Sequence, residues 1–85
     1  MRILAFFLLS ALAANAVESN RIELFLQLVR EVGCQMDNAT AGQVLPANGF
    51  TRDEVSEIES VLAENGMIDT SKMGVFALTQ AACNG

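Results

Sequence analysis

A small chain with two cysteines has few ways to build a stable domain. Here they are Cys34 and Cys83, with no others in the 85 residues. A domain of this size buries a low fraction of its surface, so its core alone is marginal and a covalent staple matters. Whether the pair can serve as that staple depends on compartment, because disulfides persist in oxidising surroundings and rarely in the cytosol. The first residues, "MRILAFFLLSALAANAVE", speak to this. Arg2 gives a positive start, and Ile3 to Ala14 is apolar apart from Ser10. Ala14-Asn15-Ala16 then places small residues where a signal peptidase needs them. This is the three-part layout of a secretory signal peptide. The run is shorter than the roughly 20 residues that an uncleaved membrane anchor would need. No cysteine follows it to take a lipid.

We therefore expect cleavage between Ala16 and Val17, with Ala14 as the second choice. Residues 1–16 are then a signal peptide, and 17–85 form one exported domain. In that setting an even cysteine count favours an internal Cys34–Cys83 disulfide over free thiols or an intermolecular bridge. The intact mass of the exported protein is expected to equal that of Val17 to Gly85 less two hydrogens. A mass that retains Met1, or two thiols that alkylate without reductant, would overturn the assignment.

The chain carries ten carboxylates against five cations, a formal net charge of −5. Only Arg2 among the charged residues precedes Glu18, so the exported domain keeps every carboxylate. Such a field repels nucleic acid and anionic membrane surfaces and keeps a small exported protein soluble.

Three helices are legible. In "SNRIELFLQLVREVG", Asn20 with Glu23 forms a capping-box pattern, with Ser19 as an alternative cap. Ile22, Phe25, Leu26, Val29 and Val32 recur at helical spacing. Leu24 and Leu28 widen that face, which fits either a central helix contacted from several sides or a patch that a partner covers. Gly33 supplies the stop. The second helix lies in "DNATAGQVLPANG", capped by Asp37 or Asn38, and Pro46 is expected to end it. Asn38-Ala39-Thr40 also fits the N-glycosylation pattern, a match short enough to occur often by chance. The third helix, Arg52 to Glu64, has the strongest signal. Thr51 with Glu54 is a capping box, Phe50 and Val55 form a hydrophobic staple, and Asn65-Gly66 closes it. Two β-prone runs follow, Met67-Ile68 and Val75 to Leu78, around the polar "DTSKMG". They read as a hairpin with Phe76 and Leu78 turned to the helices. The tail brings Cys83 back to Cys34.

Three helices and a terminal hairpin resemble the winged helix-turn-helix architecture. The carrying residues are Leu62, Gly66, Met67-Ile68, a polar tip from Asp69 to Gly74, and the return Phe76-Ala77-Leu78-Thr79. The resemblance implies a mainly α, small α+β fold, a three-helix bundle followed by a C-terminal two-stranded β-hairpin, to which the cysteine pair adds one disulfide. It also raises the question of DNA binding, with the third helix as reader. The outer face of that helix is Arg52, Asp53, Ser56, Glu57, Glu59 and Ser60. One cation among carboxylates cannot supply the phosphate and base contacts that a recognition helix makes. Lys72 at the wing tip sits near Asp69. No nucleic-acid partner is expected.

The chain has no histidine, tryptophan or tyrosine. A Ser-His-Asp or Cys-His site cannot be built, and two cysteines alone make a poor zinc site. Asp53, Glu54 and Glu57 read as a solvated helix face rather than a catalytic pair. Met36, Met67 and Met73 are spaced as core fillers, not as a copper(I) cluster. We expect no enzyme activity, no cofactor and no metal. The reading is an exported interaction or accessory module of the cell envelope, the periplasm being favoured over the extracellular space. Its partner would be a protein, met through a surface that includes Leu24, Leu28, Asp53 and Glu57. The alternatives are a secreted effector or inhibitor, and a carrier of a small apolar ligand between the first and third helices.

Overall fold

One device cuts three helices to length. The computed structural model describes residues 18–85; residues Ala14, Ala16 and Val17, and with them the cleavage assignment, lie outside the described residues. Helices α1 (Ser19–Glu31), α2 (Asn38–Ala47) and α3 (Arg52–Glu64) each end in a cap residue followed by a left-handed glycine. The caps are Val32, Asn48 and Asn65, and the glycines are Gly33, Gly49 and Gly66. The residue after each glycine donates its N–H to the carbonyl five residues earlier. Cys34 donates to the Val29 carbonyl, Phe50 to Leu45 and Met67 to Leu62, at 2.9, 3.0 and 2.9 Å. This is the Schellman closure, which satisfies carbonyls that the helix leaves unpaired. It also drops Phe50 and Met67 onto the core beside Leu45 and Leu62. Asn48 and Asn65 add side-chain bonds to the carbonyls of Val44 and Val61.

The starts are less uniform. Thr51 accepts from the Glu54 N–H and Asp37 from the Thr40 N–H, as side-chain caps should. Helix α1 departs from expectation. Its cap is Glu18, with no side-chain bond, and the Asn20–Glu23 box and the Ser19 cap do not form. Arg21, in the first turn, reaches α3 through Glu54. Pro46 does not end α2 as expected, because the helix runs to Ala47. In the last turn a proline forfeits only its own bond to the residue four earlier, here Gly42.

The C-terminal third differs most. Strand β1 (Gln35–Asp37), between α1 and α2, pairs antiparallel with β2 (Val75–Ala77) in the register Gln35–Ala77, Met36–Phe76, Asp37–Val75. The expected hairpin survives as one bridge, Ile68 to Leu78, flanked by bonds from Asp69 N–H to the Ala77 carbonyl and from Thr79 N–H to the Met67 carbonyl. Beyond it, Thr79 caps a short helix α4 (Gln80–Asn84) by accepting from the Ala82 N–H. The chain is thus a mainly helical α+β protein with a two-stranded sheet, in place of three helices and a closed hairpin.

The elements meet on Phe25, Leu26, Val29, Met36, Leu45, Phe50, Ile58, Leu62, Leu78 and Ala82. Phe25 stands edge-on to both Phe50 and Phe76, with centroids at 5.9 and 5.5 Å. No polar or charged residue is buried among the described residues. Three ties lie around this core. Cys34 and Cys83 form the expected disulfide across 49 residues. Arg30 donates twice to the Ala82 carbonyl, fastening α4 to the end of α1. Arg21 grips Glu54 with two bonds of 2.8 and 2.9 Å, donates to the Gly49 carbonyl and stacks 4.1 Å over the Phe50 ring.

Candidate functional site

Helices α2 and α3 do not close on each other along their whole length. Between them lies a concavity of about 510 Å³, with Met36 and Phe76 of the sheet at its base. Each helix contributes one stripe. From α2 these are Asn38, Ala41, Gly42, Leu45 and Pro46; from α3, Arg52, Val55, Ser56 and Glu59. Such stripes follow from residues three and four apart sharing a helix face. Met36, Leu45 and Phe50 are buried in its apolar floor, while Asn38, Gly42, Pro46, Arg52 and Ser56 are exposed along its rim.

Two residues in this groove are costly to the free domain. Gly42 is helical, with no positive φ, and a Cβ built on it meets nothing within 4 Å. Neither backbone nor packing in this chain requires a glycine there, and a helix-interior glycine loses about 1 kcal/mol relative to alanine. Gly42→Ala is therefore expected to stabilise the domain by up to about 1 kcal/mol in denaturant unfolding. An unchanged or lower stability would show that the site is tighter than its open surroundings imply.

The second is Glu59. It lies half-buried, makes no hydrogen bond or ion pair among the described residues, and burial raises its pKa. The sequence assigns it to the exposed outer face of the helix, but it sits one turn from Val55 and Leu62 on the groove side. Glu54 behaves oppositely, since the bonds from Arg21 hold its pKa low. The Thr40 N–H does the same for Asp37, and Ser71 for Asp69.

These directions set opposite pH dependences. For Glu54, Asp37 and Asp69, the native state favours the charged form. Their stabilisation is present above the unfolded pKa values and is lost as pH falls through the lower folded values. Glu59 is raised, so its contribution is full below the unfolded value, about 4.3, and is lost as pH rises through the folded one. Glu59→Gln should thus unfold at higher temperature than wild type at pH 7, with the gap vanishing below about pH 4. Glu54→Gln should be less stable at pH 7, with that gap narrowing in acid. Parallel curves for wild type and Glu59→Gln would remove the desolvation argument.

The surface expected from the sequence lies elsewhere. Leu24 and Leu28 of α1 are half-buried and packed against the core, the arrangement of a central helix touched from several sides. Asp53 and Glu57 are exposed on α3. No hydrogen bond or ion pair joins these two pairs among the described residues. Val32 lies past the end of α1 and is 39% exposed. Met36 and Met67 do fill the core, but Met73 is 92% exposed on the loop before β2. Asn38 is exposed in the first turn of α2. The groove is not legible in the sequence, because its stripes lie on two helices whose approach depends on the sheet beneath them. A mid-helix glycine with no local reason is the one signal that points to it.

Among the described residues there is no cluster of three or more metal-ligating side chains, and no helix is long and apolar enough to cross a membrane. Comparison with protein-family models, with curated proteins and with solved structures found no match.

Proposed function

We propose that this protein is a small exported interaction module, an accessory component of the cell envelope, and that its partner sits in the groove between α2 and α3. The observation that carries the reading is the groove itself. It is a concavity with an apolar floor of Met36, Leu45 and Phe50, left open between two helices of a domain whose C-terminal helix is tied back to the end of α1 by a disulfide. The Cys34–Cys83 bridge supports an oxidising compartment. The winged-helix-like layout belongs to the same proposal, supported by the order of helices and by the Ile68–Leu78 bridge. In this reading the layout serves as a scaffold, since the carboxylates of α3 disfavour nucleic acid. The module works by binding, and no catalytic role is assigned to it.

A photo-crosslinking amino acid at Ser56, in the groove, should capture one discrete protein in the cells of origin. The same group at Gln27, exposed on α1, should not. Equal capture from both positions, or none from Ser56, would remove the groove as the seat.

The carrier reading has one observation in its favour: the concavity falls within the ~300–1,000 Å³ range of small-molecule sites. Its place would be between α2 and α3, not between the first and third helices. An apolar compound that co-purifies and persists in native mass spectrometry, and that is displaced by Gly42→Leu, would favour the carrier over the interaction module.

A further inference from the structure

We infer that the occupant of the groove is a basic segment of a partner protein, one that lays apolar side chains over Leu45, Val55 and Phe76 and presents a lysine or arginine to Glu59. The inference rests on the groove being a partner seat, and it adds what kind of chain sits there.

Arg21 is engaged by Glu54 and the Gly49 carbonyl. Arg30 is engaged by the Ala82 carbonyl. Lys72 belongs to the loop before β2, beside Asp69. Helix α2 and strand β2 bear no charged residue, and Arg52 is the one other charged side chain lining the groove. Arg52 is exposed and lies seven residues before Glu59, roughly 10 Å along the helix. Glu59 is therefore partly desolvated and without a partner among the described residues.

An occupant that covers the groove will remove more water from that carboxylate. A neutral apolar ligand offers nothing in return, and an anionic amphiphile adds repulsion. A cation set against Glu59 compensates the loss, and part of the desolvation cost of the pair is already met in the free domain. The acidic net charge of the chain steers the same class of partner inward. Gly42 fits too. A wall without a side chain lets another backbone approach closely, as small residues do wherever helices pack tightly.

The test is selection of a random 12-residue peptide library on the oxidised, exported protein and on three variants. Wild-type selections are expected to combine bulky apolar residues with a lysine or arginine well above library frequency. On Glu59→Gln that basic preference should disappear, and the wild-type peptides should bind at least ~10-fold more weakly. On Glu64→Gln, which removes an exposed carboxylate of the same helix, preference and affinity should stay within about twofold. Gly42→Leu, which fills the groove, should abolish binding of the selected peptides while leaving the melting transition intact. Equal basic enrichment on Glu59→Gln would mean that net charge alone attracts the peptides, and would overturn the inference. Peptides that Gly42→Leu blocks but that carry no cation would overturn the role of Glu59 and leave the groove as a seat. Peptides indifferent to Gly42→Leu, together with no capture from Ser56, would remove both.

Discussion

Phe25→Ala is expected to destabilise the domain by about 4 kcal/mol. Truncating a buried phenylalanine typically costs about 3–5 kcal/mol, from lost transfer free energy plus the cavity left behind. Phe25 belongs well inside that range. It is 1% exposed and its ring stands edge-on to two others, Phe50 and Phe76, at 78° in each case. One ring thus joins α1 to the entrance of α3 and to β2, and such pairs contribute about 0.5–1.5 kcal/mol each beyond area. Surroundings drawn from three elements cannot collapse into the void without moving the sheet. Against a total stability of roughly 5–15 kcal/mol, such a loss removes between about a quarter and four-fifths of the whole. Phe25→Leu should cost far less, about 1 kcal/mol, by keeping most of the volume. Chemical denaturation of both variants decides the matter. Similar losses for Ala and Leu would show that the ring pairs, not the volume, dominate.

The second large effect is loss of the disulfide. Closing a loop of 49 residues stabilises by about 4 kcal/mol in the chain-entropy account. For a domain of this size that corresponds to a fall in melting temperature on the order of 20 °C. Reduction of the wild-type protein is the cleanest measurement, because Cys34 holds a left-handed backbone at φ 69°, where a replacement brings a backbone effect of its own. Cys34→Gly with Cys83→Ala should therefore be more stable than Cys34→Ser with Cys83→Ser. The difference should be up to about 1 kcal/mol. An unchanged melting temperature on reduction would mean that the backbone bond from Leu78 N–H to the Cys34 carbonyl and the Arg30–Ala82 bonds hold the C-terminus unaided.

Helix ends are well legible in the sequence, and for a local reason. A threonine three residues before a glutamate, or a glycine after an asparagine, exerts its effect within one turn. The bounds of α3 and the closures at Gly33 and Gly66 follow from neighbours alone. The Thr51–Glu54 box is local, yet Glu54 also serves a distant partner. Thr51 accepts from the Glu54 N–H and the Thr51 N–H helps hold the Glu54 carboxylate charged, while both oxygens of that carboxylate accept from Arg21 of α1. Strand pairing is legible only in part. Val75 to Leu78 announces a strand by its own β-branched and aromatic residues, but its main partner is Gln35–Asp37, where Met36 is the single apolar residue. Three residues with one apolar side chain carry no period, so nothing in that stretch identifies it.

The same division runs through the whole molecule. Where α1 and α3 stop, which two cysteines can pair, and the acidic sign of the domain's field were all determined by residue types and short spacings. Tertiary structure alone decided that Leu24 and Leu28 pack against the core, that β2 reaches across to β1, and that the space between α2 and α3 stays open. It also decided that Glu59, one carboxylate among ten, is left half-buried without a partner among the described residues. Caps and stops act over about one turn of chain. Burial is a property of what packs around a residue, and here that arrives from segments tens of residues away.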